Sequence, residues 1–425
     1  MKFSAALDVN VVAHEADDEV TVMLELEAPA GPPTAARAPS ALQIVLDRSG
    51  SMHGAPIEGA KQALITLVQR LEPTDVFGLV TFDDDAQVVV PAGPLTDKPA
   101  VIERIRGVHP GGCTDLSSGY LRGLRELRRA TKASGIRGGT ILVVSDGHVN
   151  AGIRDADQMA DVTAQASRDR IVTSTLGYGH GYDETMLSAI ARSGNGNHVF
   201  AENPDAASTA IAGEVDGLLS KVAQAVSITV HYEPQVQMLQ LYNDLPANQI
   251  GDGQVMIDLG DLYAREERKL LLRLGVDGMA ALGVVQVARL DLQYVEMPDL
   301  VEHTVSLPIS VNVVPGDELG DRIPDPTVQS EKLFQEAQSA KLEASKAFES
   351  GDLMAGGEFL ARSRERLNDA VGIAPAGSAD AIRVELADVD RMSEMSELSG
   401  AMYMSKMTRD SYHQQNRKRG RRRPQ

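Results

Sequence analysis

The sequence predicts an α/β protein. A doubly wound, mostly parallel sheet is inserted in an antiparallel β-sandwich domain and followed by a C-terminal helical region. Three patterns predict it. Between residues 40 and 225, short apolar strand patterns alternate with helical ones, the rhythm of an open sheet with helices on both faces. From 226 to 314 the helical spacing stops and only strand patterns follow. From 328 to 415 helical spacing returns without strands.

The chain opens on two period-two sets, Phe3, Ala5, Leu7, Val9, Val11 and then Val20, Val22, Leu24, Leu26, joined by polar His14–Glu19. Residues 1–28 therefore read as a β-hairpin. Isolated hairpins are marginal in water, so this one is expected to join the later β domain. Pro29–Pro39, rich in proline and alanine, has little to bury and reads as a linker.

Leu42–Leu46 is mostly apolar, as a strand covered on both faces must be. Pro56–Leu71 carries Ile57, Ala60, Leu64, Leu67 and Val68 on one helical face. Pro56 falls in its first turn, where the missing N–H costs nothing. Strands are expected at Val76–Phe82, Gln87–Pro91, Thr140–Val144, Ile171–Leu176 and His198–Phe200. Helices are expected at Lys98–Arg106, Leu116–Lys132, Asp155–Ser167, Glu184–Arg192 and Ala206–Ala223.

Val226–Tyr232, Val236–Leu241, Gln254–Leu259, Lys269–Val276, Gly283–Tyr294 and Val301–Val313 all read as strands, separated by Gly, Asp and Pro. An antiparallel sandwich is the simplest arrangement for them. A second linker, Pro315–Pro326, leads into helices at Val328–Ser350, Leu353–Val371 and Ala379–Gln415. Gly351 and the Pro375–Gly377 turn break them. Met392, Met395, Met402, Met404 and Met407 crowd the last of these and are expected to fill apolar contacts in this protein's own core.

Composition excludes several classes. With 43% hydrophobic and 24% charged residues, the chain is neither disordered throughout, nor collagen-like, nor a membrane bundle. The single Cys113 forbids an intramolecular disulfide. The apolar stretch Phe3–Leu7 stops at Asp8, too short for a secretion signal. No run approaches the roughly 18 apolar residues of a membrane span. These features predict a cytoplasmic protein with no membrane partner.

The net charge of −19 is uneven, because Arg417, Lys418, Arg419 and Arg421–Arg423 put six positive charges near the end. Setting these six aside takes the rest of the chain to −25. So acidic a body repels phosphate backbones, and nucleic acid could be touched only through the tail, residues 417–423. Residues 416–425 are expected to be a solvated, disordered basic tail.

Three segments carry the chemistry. Asp47-Arg-Ser49-Gly-Ser51 follows the strand Leu42–Leu46 directly, and alternate residues of an extended loop point the same way. Gly111-Gly-Cys-Thr114-Asp115 is a glycine loop before a helix, and Val143-Val-Ser145-Asp146-Gly147 ends a second apolar strand. The topology brings all three to the carboxyl edge of the sheet, where open α/β folds bind ligands. Asp47, Ser49, Ser51, Thr114 and Asp146 are all hard oxygen donors, suited to Mg²⁺, Mn²⁺ or Ca²⁺ and unlike a zinc set. Two carboxylates balance a +2 ion while hydroxyls add no charge, so the ion stays electrophilic and can take a further Asp or Glu from a partner.

A strand followed by D-x-S-x-S, a later GG-x-T-D loop and a strand ending S-D-G resembles the von Willebrand factor type A (VWA) domain with its metal-ion-dependent adhesion site. The resemblance covers about Ser40–Val226. It extends to Tyr182-Asp-Glu-Thr-Met-Leu-Ser-Ala-Ile-Ala-Arg and to Gly-Asn-Gly-Asn-His-Val-Phe, which look like the last helix and strand of bacterial members. It implies a Rossmann-like α/β fold and direct ligation by Ser49 and Ser51. It also implies ligation by Asp47 and Asp146, direct or through water, and by Thr114 in the ligand-competent state. The layout, a type A domain between β segments, is similar to inter-alpha-trypsin inhibitor heavy chains and bacterial proteins of that group.

The expected function is thus a non-enzymatic, Mg²⁺-dependent protein interaction, an adhesion or scaffold role closed by a partner's carboxylate. Alternatives are an adaptor subunit of an AAA-type ATPase or chelatase-like assembly, and a metal-dependent hydrolase. There is no Gly-x-x-x-x-Gly-Lys-Ser/Thr loop, and Ser49 does not sit in a Gly-x-Ser-x-Gly elbow. Asp115 is either a partner that orients Thr114 or a helix N-cap. Asp83-Asp-Asp85 is expected to be a solvated turn. His53, His109, His148 and His180 lack metal-ligand spacing and are expected in surface or hydrogen-bonding roles.

Overall fold

The computed structural model describes residues 1–31, 38–179, 181–320 and 322–416. The basic tail at 417–425, His180 and residues 32–37 of the first linker lie outside the described residues. The chain divides into two units: Gly31–Gln224 with Met297–Asp299, and the remainder, built from Met1–Ala30, Ala225–Glu296 and the part from Leu300 on. The fold class read from the sequence is the one observed: α/β with a mostly parallel sheet, plus antiparallel sheets and C-terminal helices.

The chain begins with strands β1 (Lys2–Leu7), β2 (Val11–Ala13) and β3 (Asp18–Glu27). The mostly parallel sheet follows, with β4 (Ala41–Asp47), β5 (Val76–Phe82), β6 (Ala86–Pro94), β7 (Gly139–Ser145), β8 (Ile171–Tyr178) and β9 (Asn195–Ala201). Its spatial order is β6-β5-β4-β7-β8-β9. Only β6 runs antiparallel, as an edge strand beside β5. Every residue of β4, β5, β7 and β8 is buried, which is why these segments read as near-continuous apolar runs.

Helices cover both faces. On one side α1 (Ala55–Arg70), α2 (Lys98–Arg106) and α6 (Pro204–Leu219) bring Leu64, Val68, Ile105 and Ile211 onto Leu42, Ile44 and Leu46. On the other, α3 (Leu116–Ser134), α4 (Ala156–Arg168) and α5 (Glu184–Ser193) bring Tyr120, Leu124, Met159 and Leu187 onto Val45 and Val143. Two glycines let α3 lie close to the sheet. A Cβ at Gly119 would stand 2.6 Å from the Phe82 ring, and one at Gly123 2.6 Å from Val45 Cγ2. The start of α3 is thereby pinned beside the ends of β4 and β5.

The second unit holds β10 (Lys221–Tyr232) from Ala225 on, with β11 (Val236–Leu241), β12 (Ala247–Gly251), β13 (Gln254–Tyr263), β14 (Glu267–Val276), β15 (Gly283–Glu296) and β16 (Val301–Val314). With the N-terminal strands they form two sheets, ordered β1-β3-β14-β11 and β12-β13-β10-β15-β16-β2. Strand β3 pairs with β14 from Glu27↔Glu267 to Asp18↔Val276.

Here the expectation of a simple hairpin at 1–28 is corrected. Strand β1 does pair antiparallel with β3, but β2 crosses to the other sheet and pairs in parallel with β16. Asp8 ends the first ladder, because its Oδ1 accepts the N–H groups of Val9 at 2.8 Å and Thr21 at 2.7 Å. A carboxylate that takes over ladder donors frees the chain to turn away.

Other boundaries also differ. The helix expected over Ala206–Ala223 stops at Leu219, and β10 already begins at Lys221. The short apolar pair Val222–Ala223 is buried as strand, a case in which tertiary packing overrides helical propensity. Strand β12 had no hydrophobic signal, since four of its five residues are exposed.

The last helical stretch is two helices, α9 (Ala376–Ser396) and α10 (Ala401–Asn416), after α7 (Pro326–Glu349) and α8 (Leu353–Ile373). Phe334, Phe348, Leu360, Leu367, Ile382, Val389, Met392 and Met404 form their core, with Met395 and Met407 packed on it. Met402 is exposed. The start of α7 packs Val328 on Met23 and Leu271 of β3 and β14. Among the described residues no helix is long and apolar enough to cross a membrane.

Candidate metal site

Strands β4 and β7 are parallel neighbours, with Leu46 opposite Val144, so their carboxyl ends deliver Asp47 and Asp146 side by side. Asp47 is fully buried. Its Oδ1 accepts the Ser49 N–H at 2.7 Å and its Oδ2 accepts the Ser145 hydroxyl at 2.6 Å. The chain then turns through a short 3₁₀ segment, Gly50–Met52, which brings Ser51 back toward the sheet edge. Ser51 Oγ donates to Asp146 Oδ1 at 2.6 Å and lies 3.1 Å from Ser49 Oγ.

Thr114 arrives from the other side, on the loop before α3. Its N–H donates to Asn150 Oδ1 at 2.8 Å, and the Asn150 N–H returns to the Thr114 carbonyl at 3.2 Å. The three hydroxyls converge. A methyl group on Gly147 would stand 3.2 Å from Ser51 Oγ, 3.4 Å from Thr114 Oγ1 and 3.8 Å from Ser49 Oγ. All five residues singled out in the sequence are thus brought to one place.

Electrostatics there are unbalanced. Burial pushes the Asp47 carboxyl up from the usual range, although hydrogen bonds from Ser145 and Ser49 oppose the shift. Asp146 is raised to about 6, chiefly by burial and further by the charge of Asp47, against the Ser51 hydrogen bond. Two buried carboxylates that resist ionising together are relieved by a cation. The Arg48 guanidinium is instead paired with Asp83 at 2.9 Å.

Around this centre the structure corrects one expectation and resolves another. Asp83-Asp-Asp85 is not simply a solvated turn, because Asp83 is only 8% exposed and holds Arg48. Asp84 and Asp85 are exposed. Asp115 is the N-cap of α3, accepting the Ser118 N–H at 3.0 Å and the Ser117 hydroxyl at 2.6 Å.

Sequence reasoning missed Ser145 and Asn150. Ser145 stood inside the quoted S-D-G motif and its place beside Asp146 was the available signal, whereas nothing local marks Asn150. His53, His109 and His148 are exposed, and His148 Nδ1 lies 3.8 Å from Asp183. Among the described residues no group of three or more His, Cys, Asp or Glu side chains is placed to hold a metal. Any cation here must draw on hydroxyl oxygens, and the donors present are all hard oxygens, the chemistry that Mg²⁺, Mn²⁺ and Ca²⁺ prefer.

Residues 42–212 match the model of the von Willebrand factor type A domain. An uncharacterized protein of Synechocystis is 30% identical over 265 residues, 59% of this chain and 61% of that protein. The uncharacterized Escherichia coli protein YfbK is 25% identical over 57% of this chain and 43% of its own length. Human inter-alpha-trypsin inhibitor heavy chain H1 is 28% identical over 46% of this chain and 22% of its own length. The chain therefore spans less than two thirds of each of these relatives.

Among solved structures, the von Willebrand factor type A protein from Catenulispora acidiphila superposes with a TM-score of 0.76 at 17% identity, covering 99% of this chain and 97% of that one. The ArnB paralog VWA2 from Sulfolobus acidocaldarius gives 0.66 at 13% identity, covering 96% and 97%. At these identities the likeness concerns the fold alone. Domains of this type commonly mediate protein–protein interaction or adhesion and typically bind a divalent metal. With the apolar strands, the three loop motifs and the matched segment in agreement, residues 42–212 form a von Willebrand factor type A domain.

Proposed function

We propose that this protein makes a divalent-cation-dependent contact with another protein, and that the contact is closed by an Asp or Glu side chain of the partner. Asp47, Ser49, Ser51, Thr114 and Asp146 would hold Mg²⁺, or Mn²⁺ or Ca²⁺ in its place. The observation that carries this reading is the meeting of three hydroxyl oxygens around the Gly147 Cβ position, beside two buried carboxylates. A bound divalent cation would supply an electrophilic position for a carboxylate. The chain's own residues supply charge and fit. Asp47 and Asp146 balance a +2 ion, and the neutral hydroxyls leave it able to attract a further anion.

We read the site as one that binds without catalysing. Asp47 is engaged through both oxygens by Ser49 and Ser145, and Asp146 through one by Ser51, so both carboxylates are held as fixed hydrogen-bond acceptors. The test has two arms. Calorimetry should give heat on titrating magnesium into the wild type and none into Asp47→Ala. A partner recovered by affinity purification in magnesium should be lost in EDTA and with Asp47→Ala. A partner retained in EDTA would overturn the carboxylate mechanism, and phosphatase or nuclease activity abolished by Asp47→Ala would overturn the non-enzymatic reading.

A further inference from the structure

The Thr114 loop is held to the Asp47–Ser51 segment and to the β5–β6 turn by more than packing. Gly111 N–H donates to the Arg48 carbonyl at 2.7 Å, and the Gly112 carbonyl accepts Gly50 N–H at 3.2 Å. Cys113 N–H donates to Asp84 Oδ1 at 3.1 Å. Asp115 N–H donates to the Asp83 carbonyl at 2.9 Å, and the Asp83 carboxylate grips Arg48. Each residue from Gly111 to Asp115 thus has a hydrogen bond through its backbone, Asp83 and Asp84 anchor two of them, and Asp83 also holds Arg48, the residue between Asp47 and Ser49.

The approach is close enough to dictate sequence. Gly112 has φ +61°, and a Cβ there would stand 2.6 Å from Asp84 Oδ2 and 2.9 Å from Asp83 Cβ. An L side chain would be strained at that φ and would also strike the two aspartates.

We propose that Asp83 and Asp84 are positioning residues for Thr114, with Asp84 tethering Cys113 and Asp83 clamping Arg48 and the start of α3. This rests on the metal-site reading above and deepens it. A ligand oxygen held in place before the cation arrives loses little freedom on binding, so the tether raises metal affinity without touching the metal. The aspartate run that looked like a bare acidic turn is, on this account, a brace for the site.

Asp84 is exposed, so replacing it leaves the core alone. Two variants separate tether from charge: Asp84→Ala removes the acceptor, whereas Asp84→Asn keeps an amide oxygen that can accept the Cys113 N–H. Two readouts are taken on the full chain: magnesium affinity by calorimetry, and amide hydrogen exchange at Cys113 without metal. Asp84→Ala is expected to weaken magnesium about fivefold, the size of one partly exposed hydrogen bond, and to speed Cys113 exchange about tenfold. Asp84→Asn should stay close to wild type in both, and the melting temperatures of all three should agree.

Wild-type affinity and exchange in Asp84→Ala would overturn the tether. Loss of affinity in Asp84→Asn with Cys113 still protected would overturn it too, since bulk charge would then be the cause. Absence of heat in the wild type would overturn the metal-site reading and with it the tether's role in binding, and the exchange arm distinguishes that failure from a missing tether.

Discussion

Asp47 and Asp146 are cross-braced: Ser145, from the strand that delivers Asp146, donates to Asp47, and Ser51, from the loop that follows Asp47, donates to Asp146, both at 2.6 Å. Each carboxylate is oriented by the other's segment. The two motifs can therefore be placed correctly only together.

Removing one brace should be felt in both stability and metal binding. Ser145→Ala leaves Asp47 buried with one donor fewer, and an unsatisfied buried acceptor costs about 1–3 kcal/mol. Urea unfolding of the metal-free protein is expected to shift by that amount, with weaker magnesium binding. An unchanged midpoint would show that Ser145 does not hold Asp47 in solution.

The Gly147 position offers a steric test. In Gly147→Ala the new methyl occupies the point on which three hydroxyls converge, and Gly147 is not among the residues with positive φ, so the backbone tolerates alanine. Magnesium affinity is expected to fall at least about tenfold, or about 1.4 kcal/mol, while far-UV circular dichroism and the melting temperature hold. Undiminished affinity would move the cation elsewhere.

Acidity gives a third expectation. The folded-state pKa of Asp146, about 6, lies above its ordinary value of 3.8. For the metal-free protein this contribution to stability is present below the ordinary value and is lost as pH rises through about 6. Metal ligation needs the ionised form. Thermal melts with and without magnesium should therefore show a small gain at about pH 5 and a larger one at about pH 8, and equal gains would contradict the assignment.

In the helical region, Lys341 and Glu385 form a buried ion pair, with Gln338 also donating to Glu385 at 3.0 Å. Breaking one side strands a charge. Lys341→Met alone should cost about 3–5 kcal/mol, whereas the double replacement Lys341→Met with Glu385→Leu should recover most of it. Equilibrium unfolding of the full chain would measure both.

Much of the site was legible because its residues obey local rules. Apolar runs marked β4 and β7, and a carboxylate at the end of each stood out against them. Asp47, Ser49 and Ser51 alternate along two short steps, so period-two geometry alone suggested convergence. The hidden parts depend on neighbours distant in sequence. Asn150 meets Thr114 from the loop after β7, and Asp83 is enclosed by Arg48 and by Gly112, residues from two other loops. In the same way β2 left the expected hairpin because Asp8 captured two N–H groups, and β12 lay unmarked because an exposed edge strand needs no apolar pattern.

The pairing of β3 with β14 also governs how the protein is made. Glu27 and Glu267 sit opposite each other although 240 positions of chain separate them. At about 5–20 residues per second, a ribosome takes about 12–50 seconds to cover that distance. Throughout that interval the newly emerged Val20, Val22, Leu24 and Leu26 have no sheet to enter, and the intervening type A domain can finish folding first. During that wait the strand's apolar face is open to aggregation, the exposure that long-range strand pairing carries.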